Sequence, residues 1–215
     1  MANWENNIGW LILLISLFGY ISNYLNWRFL NTKIIRYSYI VGAMVHEMSH
    51  AFFCLLTGAK IKQIKIFSRR PQVIHTKSKL GIVGQVLISL APIIGGLLFL
   101  FVIDYFVLQQ SFSWQRSTGY ENVLAWLSAV DLFSWRNLIA LFAILNAGSM
   151  LGPSGQDLKN IWPAVLAFLF WHNQTIASIL WLALSIILLN ILLQLSVITL
   201  KAIVRLLFSI FAVKD

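Results

Sequence analysis

Several apolar stretches of this sequence are long enough to cross a lipid bilayer. A hydrocarbon core about 30 Å thick needs about 20 apolar residues, because an α-helix rises about 1.5 Å per residue. Only 11% of the residues are charged, whereas soluble domains carry roughly 25%, so a water-facing surface cannot be formed. Hydropathy predicts spans at Ile8–Leu25, Tyr37–Thr57, Leu80–Leu108, Trp135–Leu151 and Ile176–Leu200, with a shorter apolar segment at Ile161–Trp171.

We therefore predict an all-α polytopic membrane protein with about six transmembrane helices, built as one membrane-embedded domain over residues 1–215. The third span is long and contains Pro92, so a kink or a strong tilt is expected there. The segment Ile161–Trp171 either crosses the membrane or re-enters it. No positively charged region precedes the first span and no small-residue cleavage site follows it, so it is expected to be a permanent helix.

The basic residues predict the orientation, because loops rich in Lys and Arg stay on the cytoplasmic side. The loop Ala59–Lys79 holds seven cations and is expected to face the cytoplasm, whereas three cations between the first two spans would then lie outside. This sidedness accounts for the net charge of +9, so nucleic-acid binding is not expected. The small size and the lack of targeting signals favour a bacterial plasma membrane. The sequence predicts no oligomeric state.

A metal-binding motif lies inside the second span, in the order His46-Glu47-Met48-Ser49-His50. The two histidines are four residues apart, so on a helix they project from one face, one turn apart, and can bind one ion. Glu47 is rotated about 100° from His46 and is not itself a ligand. It is placed to take a proton from a bound water and to deliver it to the leaving amine. The predicted cofactor is Zn²⁺, which lowers the pKa of its water towards about 7.

A chance occurrence of this motif has a probability of about one in a thousand at this composition. Ionisable groups inside a membrane span are costly and usually functional. Two other functions remain open. The protein could be a zinc-binding membrane scaffold without proteolytic activity, although a scaffold has no need of the base Glu47. It could also be a transporter in which His46, Glu47 and His50 line a proton or metal path.

A catalytic zinc ion normally has three protein ligands, so the third must come from elsewhere in the chain. Asp157 follows the fourth span on the same predicted side as the motif, and it is the best candidate. An alternative role for Asp157 is helix capping, because Ser154 and Asp157 have the spacing of a capping box. The two roles are compatible. The other candidates lie at the N-terminus or towards the outer side: Glu5, Asp104, Glu121, Asp131 and His172.

Two further residues could bind metal but are expected not to do so. Cys54 continues the helical face of His46 and His50, but it is about 12 Å of helix rise from His46, so one ion cannot reach all three. We expect it to be a packed core thiol. His75 lies in the basic loop, where a solvated or structural role is expected.

These residues resemble the site-2 protease family, the intramembrane zinc metalloproteases. The likeness begins with the motif helix, which ends at Thr57-Gly58, and continues in a strand-like segment from Ala59. A third span with Ala91-Pro92 and a later aspartate, Asp157, also have counterparts. The resemblance covers roughly residues 37–160, which would form the core of a metalloprotease domain.

The resemblance implies a zinc metalloendopeptidase, a hydrolase that cuts a peptide bond within or near a transmembrane segment of another membrane protein. It also implies that Asn146 contacts the substrate, as the counterpart of an asparagine upstream of the family's aspartate. One departure concerns the residue after that aspartate, which is commonly glycine in the family and is Leu158 here.

A helical peptide bond is sterically enclosed and hydrogen-bonded, so a substrate must unwind before it is cut. The segment Gln63–Ile66 alternates polar and apolar residues and could offer a sheet edge to an unwound substrate. The alternative is a basic loop without substrate contact.

Overall fold

The computed structural model describes residues 4–29, 39–66, 68, 71–107 and 133–212. Within these residues the protein is mostly helical, with a short 3₁₀ helix at Trp4–Asn6 and one two-stranded sheet. The elements are α1 (Ile8–Phe29), α2 (Ile40–Leu56), β1 (Ile61–Lys65), β2 (Gln72–His75), α3 (Gly81–Phe106), α4 (Trp135–Met150), α5 (Gly155–Phe168) and α6 (Gln174–Ala212).

Three helices, α1, α3 and α6, are long and apolar enough to cross a membrane. The pair α4 and α5 is bent by 81° at a short break and passes the same test when counted together. The motif helix α2 is apolar and has 17 residues. The described helices thus do not confirm the prediction of about six transmembrane helices. The predicted loop at 109–134 and the cations at positions 33 and 36 fall almost entirely outside the described residues.

α1 and α6 pack along each other in the same direction. Near their starts, the indole Nε1 of Trp181 donates to the carbonyl of Glu5 at 2.9 Å. Further along, Nε2 of the buried Gln194 donates to Ser22 Oγ and to Asn26 Oδ1, both at 3.0 Å. Polar side chains can hold two helices together in this way where no water competes for their hydrogen bonds.

The bent pair α4 and α5 runs alongside α6 in the opposite direction and ends near the start of α6. The carbonyl of Leu145, in α4, accepts from the amide of Asn190 in α6. After the end of α5, the carbonyl of Trp171 accepts from the backbone N–H of Ile8 at 3.1 Å. At the break itself, a Cβ on Gly152 would meet the backbone of Gly19 in α1, so only glycine allows this close approach.

The sheet is a hairpin between α2 and α3, which confirms the predicted β-like segment after the second helix. α2 ends at Leu56, and two residues later Gly58 has a φ of 71°, in the left-handed region that favours glycine. The strands are antiparallel, with Ile61 opposite His75 and Lys65 opposite Gln72. β2 folds against α2, so the hairpin covers the middle of the motif helix.

Candidate metal centre

His46 and His50 lie one turn apart on the buried face of α2, as the four-residue spacing predicts. Their Nε2 atoms are 3.2 Å apart, and their ring centroids are 4.9 Å apart. Two imidazoles in this arrangement direct a nitrogen each towards one point. They can therefore act as two ligands of a single ion.

The other nitrogen of each ring is fixed by a backbone carbonyl of a neighbouring helix. His46 Nδ1 lies 2.6 Å from the carbonyl oxygen of Met150 in α4. His50 Nδ1 lies 2.8 Å from the carbonyl oxygen of Ile88 in α3. Because a carbonyl can only accept, each Nδ1 must carry the proton, and each Nε2 keeps its lone pair for a metal.

Both carbonyls lack their usual partner within their own helix. Met150 is the last residue of α4, and the last four carbonyls of a helix have no intrahelical donor. Ile88 lies four residues before Pro92, which has no N–H to donate to it. α3 continues through Pro92 as one helix. The break between α4 and α5 therefore leaves the Met150 carbonyl to accept from His46, and the proline in α3 leaves the Ile88 carbonyl to accept from His50.

Asp157 provides the third donor. Its Oδ2 lies 3.4 Å from Nε2 of His50. One ligand atom each of His46, His50 and Asp157 lies within 4.8 Å of the others, and all three residues are buried. Asp157 also completes a capping box at the start of α5, where Ser154 Oγ and the Ser154 backbone N–H both donate to Oδ2, at 2.6 and 2.8 Å. The predicted cap is thus present, and ligation of a metal by Asp157 stays a prediction that is compatible with this cap.

Glu47 is buried and lines the same cavity as the three donors. It follows His46 directly, so its carboxyl lies beside the histidine pair on α2. Val73 in β2 lines this cavity together with Glu47. The hairpin thereby reaches the residue that the sequence assigns as the base.

The cavity at the centre has a volume of about 90 Å³, enough for an ion and a few waters. Its polar lining includes residues that sequence reasoning missed, because contacts between distant elements bring them together: Gln72, Gln85, Ser89, Gln156 and Asn160. Asn160 is one helical turn beyond Asp157, a spacing that could have indicated it. His75 also lines the cavity, while its Nδ1 lies 2.7 Å from the carbonyl of Thr76. β2 lines the site, whereas Gln63–Ile66 does not.

Asn146 and Cys54 lie away from this cavity. Asn146 is buried between α4 and α2, where its Oδ1 accepts from the backbone N–H of Gly42 at 3.3 Å and its Nδ2 donates to Phe142. It does not line the cavity, and its contact with a substrate stays a prediction. Cys54 is packed in an apolar cluster with Ala59 and Ile88, as expected for a core thiol.

The donor set fits a divalent transition metal. Two neutral imidazole nitrogens and one carboxylate are the ligand types of catalytic zinc sites, which keep a fourth position open. The carbonyls of Met150 and Ile88 supply the outer hydrogen bonds that such histidines normally have. No lysine or arginine of the described residues lines this cavity.

Two histidines and a carboxylate thus lie together, buried beside a glutamate, in an arrangement that could hold a metal ion. Comparison with protein-family models matches residues 12–157 to the family described as Peptidase M50B-like. The chain belongs to this family, a site-2 protease family of metallopeptidases, and its long apolar helices make it a multi-pass integral membrane protein. No curated protein and no solved structure matches the chain.

Proposed function

We propose that this protein is an intramembrane zinc metalloprotease that hydrolyses a peptide bond within or near a transmembrane segment of a membrane protein. The observation that carries the proposal is the meeting of Glu47, His46, His50 and Asp157 in one buried cavity. Family membership supports peptide hydrolysis as the reaction.

His46, His50 and Asp157 would hold the zinc ion. When bound, this ion supplies positive charge that lowers the pKa of a water and polarises the substrate carbonyl. Glu47 takes the proton of the attacking water as the C–O bond forms. It then delivers this proton to the amine nitrogen as the C–N bond breaks, and the remaining hydroxyl proton passes from the new carboxyl group to the amine, so a carboxylate and an ammonium group are released. The hydrogen bonds to Met150 and Ile88 keep both imidazoles in one tautomer throughout.

We also infer how the chain crosses the membrane. α1 and α6 run in the same direction, and α4–α5 returns to the start of α6. Both observations support five membrane crossings, in which the bent pair α4–α5 counts as one crossing. The 11-residue segment at 161–171 is then the second half of a broken span. With the basic hairpin in the cytoplasm, the N-terminus is cytoplasmic and the end of α6 is outside. A bacterial plasma membrane and a membrane protein substrate remain part of this proposal, with no role for nucleic acid.

The test compares purified parent protein with Glu47→Gln in cleavage of co-expressed single-span membrane proteins, together with zinc content by elemental analysis. Glu47→Gln should keep its zinc and lose at least about 100-fold in rate, because it cannot accept a proton. Glu5→Gln is the matched control, since Glu5 is exposed and far along the chain from the centre. Cleavage by Glu47→Gln at the parent rate would contradict the mechanism. Metal flux through liposomes without cleavage would favour a transporter instead.

A further inference from the structure

A second groove, of about 500 Å³, opens between the start of α3 and the first turns of α5. Its walls combine the apolar side chains of Ile82, Trp162 and Pro163 with two exposed lysines, Lys77 and Lys159. We call it the lysine groove. Such a mixture of apolar wall and cationic rim suits a polypeptide that carries negative charge.

The lysine groove adjoins the metal centre. Gln85 and Asn160 line both the groove and the cavity that holds His46, His50 and Asp157. An occupant of the groove would therefore lie next to the metal centre, on the other side of these two side chains.

A third space, of about 480 Å³, meets the centre from the other side and is lined by Tyr20, Asn23 and Tyr24 of α1. It shares His46, Glu47 and Gln72 with the central cavity. The three adjoining spaces, which we call the cleft, lie in a row, because the outer two share lining residues with the central cavity but not with each other. The cleft has an aromatic mouth at α1 and a basic mouth at the lysine groove. An extended chain is the shape that fits a cleft with two mouths.

The basic mouth carries the charges of its two lysines. Among the residues that the structure describes, neither Lys77 nor Lys159 forms an ion pair. In the described part of the chain, the acidic side chains along the cleft are Glu47 and Asp157, which belong to the metal centre. Two like charges at the rim of a low-dielectric groove attract an anionic group and repel a basic one.

We propose that an unwound substrate lies through this cleft and that its segment in the lysine groove is acidic, held by Lys77 and Lys159. The inference rests on the proposed proteolytic function and adds a charge preference on one side of the cut bond. An anionic lipid headgroup would satisfy the same two lysines. The peptide is favoured because the groove adjoins the central cavity, with Gln85 and Asn160 lining both.

The test measures binding, so it does not depend on hydrolysis. Glu47→Gln protein in nanodiscs of zwitterionic lipid is titrated with two synthetic peptides of equal length, one with four glutamates and one with four glutamines in their place. The acidic peptide should bind about tenfold more tightly, as expected for two partly exposed ion pairs. In the double variant Lys77→Glu and Lys159→Glu this preference should vanish, and a peptide with four lysines should bind instead.

The matched control, Lys60→Glu and Lys62→Glu, reverses the charge of two exposed lysines of the hairpin that do not line the cleft. It should keep the preference for the acidic peptide. Equal binding of the acidic and neutral peptides would overturn the proposal, as would equal loss in the control. If the groove bound lipid instead, the acidic and neutral peptides would bind equally. Native mass spectrometry would then show that the parent retains phosphatidylglycerol and that the groove variant does not. Zinc content verifies that each variant is folded. Failure of the parent to cleave any protein would refute the proteolytic function while leaving this binding result to stand.

Discussion

The carbonyl of Met150 lies 2.6 Å from Nδ1 of His46, one helical turn beyond the contact between Asn146 and Gly42. α2 and α4 therefore run side by side in the same direction, and two hydrogen bonds spaced four residues apart set their register. The second of these bonds orients His46, a proposed metal ligand. The position of the break after Met150 thus determines how His46 faces the centre.

Pro92→Ala should weaken zinc binding although Pro92 contacts no metal. The alanine N–H can donate to the carbonyl of Ile88 within α3, so it competes with His50 for this acceptor. Loss of such an outer hydrogen bond costs about tenfold or more in metal affinity. Competition with a chelator measures the change. Pro163→Ala in α5 is the control with the same substitution in a helix, and an equal effect of both variants would refute the link to His50.

The two roles of Asp157 can be separated by two substitutions. Asp157→Asn removes the charge that a zinc ligand needs, so most of the zinc should be lost. Ser154→Ala removes the cap but leaves the carboxylate, so zinc should remain while the free energy of unfolding falls by about 1 kcal/mol. Elemental analysis and thermal unfolding in detergent report the two effects. If Asp157→Asn kept a full complement of zinc, Asp157 would be a cap only.

Asn146→Ala distinguishes a structural role from substrate contact. The variant loses the bond to the Gly42 N–H and leaves that group buried, which should cost about 1–3 kcal/mol of stability. Because Asn146 does not line the central cavity, KM for a cleaved substrate should stay close to the parent value in the folded fraction. A large rise in KM at unchanged stability would instead support the role that the family resemblance implies.

Reporter fusions at the two ends test the proposed crossings. Five crossings place the N-terminus and the end of α6 on opposite sides of the membrane, whereas six place them on the same side. A reporter active only in the cytoplasm should therefore work at the N-terminus and fail after α6. Reporter activity at both ends would instead support six crossings, with α4 and α5 as two separate spans.

Local spacing made part of the centre predictable. The four-residue interval of His46 and His50 fixes a shared helical face, and the interval of Ser154 and Asp157 predicts the cap that starts α5. The apolar runs likewise predict α1, α3 and α6. The sequence does not reveal what depends on packing between distant elements. Gln85 and Asn160 reach the cavity only because α3 and α5 meet there, and β2 lines it because the hairpin folds back over α2.

The sequence does not predict the bend between α4 and α5, for a different reason. The sequence there reads as one apolar stretch followed by a glycine-rich turn and a second, shorter stretch, which fits two spans as well as one broken span. The close approach of Gly19 and Gly152 decides the geometry, and it involves residues more than 100 positions apart. No local pattern contains such a pairing.

Each imidazole of the centre takes its orientation from a helix other than its own, His46 from α4 and His50 from α3. Zinc occupancy is therefore an indicator of how tightly three helices are assembled. Thin bilayers or harsh detergents that ease these helices apart should release the metal while every helix is still formed. Loss of zinc would then precede any loss of the helical circular dichroism signal. The lipid surroundings would thus abolish activity before the protein unfolded.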